Sequence, residues 1–546
     1  MNLTNGGDGL GTMLFDFEAF ALFDCTLPEF PSNSPNMDLD NLHALAFDDF
    51  DRSQLLHGLK KIPVETNPPL PSSPELTRIL KQYFTYLSPT IHIASFSVRS
   101  CPVPLLLMIL AIGDLFSTER TLEQWARKAA SFMLHKEVEQ FEDEGRPLSL
   151  PTIQALILCI AEFAFSGDSR KIARALRYKA VLASTSRQMV QQEVEDTFAA
   201  DDHDWPSWIA REARRRTLLL LCDLEISIAR LVGLPQMLEL SDLPIPLPCA
   251  NEVWFAMSEH EWQDRSLRQY VQRGPSLRCN ELLAALLRDE ESAFSHDWNA
   301  INHTGTALSE LINMTRRTVK AEGKYGIGSQ YFMKKSRECL DAWKSAWDSI
   351  QLGMTKAQYL ALMSSWCVSE VYLNGPDFIL RILHELSVED KSGDWQRVED
   401  FLQEADRKAI DIDAEESNAI LNVCAAVLFH VETLAEFTSF DDCLFTIRAS
   451  ITAGVVASVF LGGVCLWFSM RVIRLRGGSN PAAEQRVVSR FSKALSSISW
   501  GSQPLSCKND GFLTLLGNLL ERTQVWGIII QNLSNLQSMP SGWEGF

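Results

Sequence analysis

No two of the 12 cysteines in this 546-residue sequence lie closer than 19 residues apart. That spacing excludes a Cys-x-x-Cys pair and with it any zinc-finger cassette of the ordinary kind. The cysteines are scattered through apolar segments, which suits reduced thiols used as small hydrophobes in an intracellular chain. A basic n-region is missing from the first residues, so no secretory signal is read there. Positive charge is in short supply: 50 Lys and Arg stand against 69 Asp and Glu, a formal net charge of -19. This argues against a general basic coat for nucleic acid, although a small basic module would be hidden in the average. Strand-like alternation is scarce, and no fixed-period repeat occurs.

The motifs of common enzymes are absent too. There is no Gly-x-Ser-x-Gly elbow, no Gly-Lys-Ser/Thr phosphate loop and no His-Glu-x-x-His. Gly7 and Gly9 begin a dinucleotide-like pattern, but Thr12 occupies the third glycine position and no strand precedes it. The ten histidines do not cluster at ligand spacings. No catalytic, cofactor-binding or metal-ligating residue is assigned, and no cofactor is expected within these residues.

What is present is apolar and helical. A hydrophobic fraction of 46% supports a large core and excludes wholesale disorder. Leu76, Ile79, Leu80, Tyr83 and Phe84 form one stripe. Pro102 and Pro104 introduce a buried helix over Leu105 to Ile112, and Leu122, Trp125, Ala126, Ala129 and Met133 recur at helical spacing. The expected fold is all-α: a multi-helix regulatory domain over 74–546, preceded by a mostly disordered acidic arm over 1–73. In the arm, Leu14, Phe15, Phe17, Phe20 and Phe23 interleave with Asp16, Glu18 and Asp24. A second cluster runs Leu45, Phe47, Asp48, Asp49, Phe50 and Asp51. Two readings of the arm stand open: an activation-type segment that a partner's groove takes up, or a tail or strap on the body.

Two alternatives compete with a regulator. Ala449 to Met470 is uncharged and followed by Arg471, Arg474 and Arg476, which suits a single-pass membrane helix as well as a central helix buried all round. Acidic clusters at Asp48, Asp49 and Asp51 and at Asp201, Asp202 and Asp204 raise an all-α, magnesium-dependent enzyme of terpene-cyclase type.

The most informative stretch is Trp205 to Phe255. A helix starting near Pro206 carries Arg211, Glu212, Arg214, Arg215 and Arg216 in its first turns, where cations oppose the macrodipole. Glu212 is placed to pair with Arg215 or Arg216. The run is either internal salt bridging or a surface patch for nucleic acid or nuclear import. Asp223 sits within the apolar run Leu218 to Leu224, with Arg216 and Arg230 two turns away on either side. It is expected to accept from arginine or backbone donors as an anchor.

In order and spacing, Trp205, Trp208, Glu212, Arg215, Arg216, Asp223, Pro235, Asp242, Pro246, Pro248, Cys249 and Trp254 resemble the fungal-specific transcription factor domain, the middle homology region of fungal zinc-cluster and zinc-finger regulators. Tyr83, Phe84, Ile91, His92 and Phe96 look like that family's entry segment, Leu105 to Phe116 with Gly113 like its first core helix, Ile153 to Leu156 like its Gln-Ala-Leu helix, and Val459 to Trp467 like a further core helix. The likeness spans about 75 to 540. It implies a nuclear, non-enzymatic regulator of transcription, acting on a metabolic or secondary-metabolite gene set through a partner- or effector-binding domain. The implied partners are the transcription machinery, a DNA-binding protein and a second copy of the chain, and no membrane. Family members usually carry a DNA-binding module with zinc-bound cysteines. The cysteine spacing here supplies no such ligand cluster, so the likeness implies the helical regulatory body, and three options stand open: a zinc module missing from this sequence, a DNA-binding partner supplied in trans, or a co-regulator that does not bind DNA.

Overall fold

A computed structural model of the chain describes residues 45–59, 70–86, 90–114, 117, 122–166, 168–199, 204–273, 277–288, 298–350 and 356–375, with positions 403, 407, 423, 426–430, 463, 490 and 493 beyond them. Among the described residues the elements are helices, and one isolated antiparallel bridge joins Pro246 to Arg278. The fold is all-α, as expected. The apolar runs at 449–470 and 515–536 and the charged stretch at 389–416 lie outside the described residues, single positions apart. Among the described residues no helix is long and apolar enough to cross a membrane.

The chain builds α1 (Asp49–Leu59), α2 (Ser73–Tyr86), α3 (Val103–Asp114), α4 (Glu123–Glu144), α5 (Leu150–Ala164) and α6 (Ser169–Ala199). These are followed by α7 (Trp205–Leu231), α8 (Asn251–Trp254), α9 (Glu259–Arg273), α10 (Cys279–Leu287), α11 (Trp298–Glu322), α12 (Ile327–Ile350) and α13 (Lys356–Asn374). Helices α2 to α6 pack as successive neighbours, with α3 also against α5. Helices α10 to α13 form a second group around α11, and α7 touches both groups through α5, α6 and α11.

Local chemistry sets the helix boundaries. Ser149 caps α5 by accepting from the Thr152 N–H at 3.3 Å, with Pro151 in the first turn. Asp204 caps α7 in the same way through the Ser207 N–H and hydroxyl, at 3.2 and 2.6 Å. Asp114, at the end of α3, accepts from the Leu122 and Glu123 N–H groups at 2.8 and 2.9 Å, so one carboxylate closes α3 and caps α4. From Pro104 to Asp114 every residue of α3 is buried, which is why its sequence shows no polar face.

Gly113 allows that burial. A β-carbon added there would lie 2.2 Å from the Ile79 carbonyl oxygen on α2, so the helices can approach only over a bare Cα. Gly113→Ala is therefore expected to lower stability by about 1–3 kcal/mol through overpacking. Chemical denaturation measures it, and an unchanged midpoint would show that α2 can move away.

Residues 45–59 take the strap form of the two readings of the arm. Leu45, Phe47, Leu55 and Leu59 belong to the main core. The Phe47 N–H donates to Thr77 Oγ1 at 2.9 Å and the Ser73 hydroxyl to Asp49 at 2.8 Å. Arg99 bridges Asp48 at 2.6 Å and Asp51 at 2.9 Å. Interactions thus cross the expected boundary at residue 73. The acids at 48–51, which raised a metal site, are held as a helix start and its ion pairs. Residues 1–44 lie outside the described residues.

Candidate functional site

The motif residues that opened the resemblance converge where the first turns of α7 meet α8. Arg216 is the hub. Its Nε donates to Glu212 Oε1 at 2.9 Å, its Nη1 to Asn251 Oδ1 at 3.1 Å and its Nη2 to the Cys249 carbonyl at 2.7 Å. Its guanidinium lies over the Trp254 ring, 4.8 Å from the centroid. Glu212 completes the circuit by accepting from the Cys249 N–H at 2.8 Å. The planar fork of arginine therefore ties its helix to the returning chain at two residues, Cys249 and Asn251, while holding Glu212 on its own helix, which a lysine could not do.

An aromatic shell closes over this hub. Trp208 packs against Trp254 at 6.2 Å and Trp262 at 5.3 Å, and His92 meets the edges of Trp254 at 4.8 Å and Trp205 at 5.9 Å. Burial and the nearby Arg216 depress His92 to about 4, against an opposing pull from the backbone of Trp254 and Ala256. The ring is thus neutral at physiological pH. Gln154 on α5 extends the junction, donating to the Thr90 carbonyl at 2.7 Å and to Thr217 on α7 at 3.3 Å. The Gln-Ala-Leu motif is the polar link between α5, the entry segment and α7.

The arginine run is bridged internally. Glu193 on α6, fully buried, takes Arg215 at 2.5 Å and lies 3.8 Å from Arg214, while Arg214 reaches Asp196 at 3.0 Å. Arg215 also approaches Glu212 at 3.9 Å. Carboxylates from α6 thus compensate the cations that oppose the α7 dipole. Even so, burial holds the Glu193 carboxyl above its ordinary range and Arg211 below its own.

The expected partner of Asp223 is corrected. Arg216 is engaged at the hub, and Arg230 turns to α11, donating to Asn313 at 2.9 Å and to the Ser309 carbonyl at 2.7 Å. Asp223 instead bonds the Thr306 side chain, and burial raises it to about 6. Two helical turns put residues on a shared face, but which neighbour each meets depends on the helix packed there. In the folded chain the raised value favours the proton, so stability falls as pH rises from about 4 to about 6. Asp223→Asn is expected to be more stable by about 2–3 kcal/mol above pH about 7, with the advantage gone below pH about 4. Denaturation at the two pH values tests this, and an equal gain at both would remove the linkage.

The remaining motif residues shape the return from α7 to α8. The Pro235 carbonyl accepts from Lys179 Nζ at 3.0 Å. Asp242 accepts from the Glu239 N–H at 3.0 Å and closes a short 3-10 turn. Around Pro246 the chain pairs with 277–280: Leu247 N–H to the Leu277 carbonyl and Cys279 N–H to the Ile245 carbonyl, both 2.9 Å. Pro248 is buried beside the hub. The prolines fit because the backbone donors this ladder needs come from Leu247, Cys279 and Asn280.

A second buried pair was not anticipated. Lys179 on α6 and Glu225 on α7 meet at 3.1 Å, both essentially without solvent exposure, and Glu225 also accepts from the Met237 N–H at 2.9 Å. Burial pushes the Glu225 carboxyl up more strongly than Lys179 pulls it down. The sequence carried a signal: Lys179 falls between Ala175, Tyr178 and Leu182, all buried, at helical spacing.

The chemistry of the junction is that of a clamp. Burial drives the thiols of Cys222 and Cys249 well above their ordinary range, which leaves them poor nucleophiles. Among the described residues no three His, Cys, Asp or Glu side chains are placed to hold a metal ion. Of the acidic cluster raised as a magnesium site, Asp204 is a helix cap, and Asp201 and Asp202 lie outside the described residues.

Comparison with known proteins covers the segment that holds this junction. Residues 80–312 match the fungal specific transcription factor domain. A stretch of 207 residues is 22% identical to zinc finger protein zas1 of Schizosaccharomyces pombe, covering 36% of this chain and 22% of that protein. The chain thus spans about a fifth of this curated relative. No solved structure matches.

Proposed function

We propose that this chain, whose residues 80–312 match the fungal specific transcription factor domain, is a nuclear regulator of transcription. It acts by binding other molecules, with no reaction of its own. The observation that supports this reading best is that the buried junction lies inside the matched segment. The matched segment is the one in which Trp205, Trp208, Glu212, Arg216, Cys249 and Trp254 close a single buried junction. Such a junction fixes the relative placement of helix groups, which a platform for partners requires.

The similarity to a zinc finger protein supports DNA contact through a zinc-bearing module or a DNA-binding partner. Zinc would be held there, since the cysteine spacing in these residues offers no finger. The transcription machinery and a second copy of the chain are the further partners, and a metabolic or secondary-metabolite gene set is the target class the family suggests. Fusing the full chain to an unrelated DNA-binding domain should change output from a reporter bearing that domain's site. Output equal to that of the DNA-binding domain alone would refute the reading, as would magnesium-dependent turnover of a prenyl diphosphate by the purified chain.

A further inference from the structure

The turn between α11 and α12 and the first turns of α12 expose three large apolar side chains within seven residues of sequence. Ile327 is 90% exposed, Tyr325 74% and Tyr331 53%. Ile327 and Tyr331 are four residues apart on α12 and share a face. Lysines surround them: Lys324 stands 5.8 Å over the Tyr325 ring, Lys320 is one turn before it, and Lys334 makes only a 3.8 Å approach to Glu338. The one acid between 317 and 334, Glu322, is turned to the start of α12, where it accepts from the Ser329 N–H at 3.3 Å. In a chain of net charge -19 this is an apolar patch with a basic rim. Such a patch suits an acidic, aromatic ligand.

We propose that the patch receives residues 14–24 of this same chain. The first 44 residues hold seven acids and neither lysine nor arginine. Within 14–24, Phe17, Phe20 and Phe23 recur every third residue with Asp16, Glu18 and Asp24 between and beside them. On folding as a helix they would offer the patch one aromatic side and an acidic border. Reach is sufficient: the 21 residues from Asp24 to Leu45 extend at most roughly 70 Å, against a radius of gyration of about 19 Å for a body of some 300 residues. The docking goes beyond the regulatory reading and stands or falls without it.

The test uses the full chain with a photo-crosslinking benzoylphenylalanine in place of Ile327. Irradiation should join it to residues 14–24 within one molecule, and Phe17→Ser with Phe20→Ser should abolish that product. In parallel, Ile327→Ser with Tyr331→Ser should speed hydrogen exchange of residues 14–24 by about tenfold, with the melting temperature unchanged because both side chains are exposed. Products at other residues, no product, or unchanged exchange would overturn the proposal. So would a product joining two chains, which would assign the patch to a second copy.

Discussion

Arg216→Ala is expected to destabilise the chain by about 3–5 kcal/mol, because it leaves Glu212 buried without its cation. It also removes the donors to Asn251 and the Cys249 carbonyl and the stacking on Trp254. The tryptophans at the junction make the loss visible: the fluorescence transition reporting Trp205, Trp208 and Trp254 should move to lower denaturant. Arg216→Lys should recover only a minor part, since one ammonium cannot serve Glu212, Asn251 and Cys249 from a planar fork. Combining Arg216→Ala with Glu212→Gln should cost less than the two singles together, by about 0.5–3 kcal/mol. A loss below about 1 kcal/mol for Arg216→Ala would place the pair among exposed ion pairs and contradict the buried junction.

Lys179→Met should be comparably severe, at about 3–5 kcal/mol, for the same physical reason at a different place. Glu225 would keep the Met237 N–H but lose its cation, and Pro235 would lose a donor. Burial already holds the Glu225 carboxyl above its ordinary range, so the variant should take up a proton there on folding. Its deficit should therefore shrink as pH falls through that raised value. Lys179→Met with Glu225→Leu should restore most of the stability, because an apolar pair of similar volume carries no desolvation cost. Unfolding measured at two pH values for the three chains separates these outcomes, and a pH-independent deficit for Lys179→Met would contradict the assignment.

Much of this architecture could be read from the sequence, for identifiable reasons. The all-α class follows from stripes such as Leu76, Ile79, Leu80, Tyr83 and Phe84, all of which are buried in α2. Pro102 and Pro104 located α3, and Glu212 with Arg216 at i and i+4 is an interaction that one helix specifies by itself. What escaped the sequence depends on long-range approach. Nothing local says that Asp223 will face Thr306 on α11 and not Arg230, because that is decided by the packing of α7 on α11. Glu193 lies 22 residues from Arg215, and its role becomes visible only once α6 and α7 are antiparallel neighbours in space. The acid-rich 48–51 segment looked too polar to pack, yet its polarity is satisfied by Arg99 and by its own helix start while Leu45, Phe47 and Leu55 go inward. At the junction itself, the motif residues were identified by their order along the chain. Their common purpose, three bonds and a ring around one guanidinium, is a property of the fold.

The regulatory reading makes one direct demand on the cell. A tagged full chain, expressed from its own locus and crosslinked to chromatin, should be enriched at discrete promoter-proximal sites and lose that enrichment with Arg216→Ala. A chain that stays outside the nucleus, or enters it without any site-specific enrichment, would contradict the account.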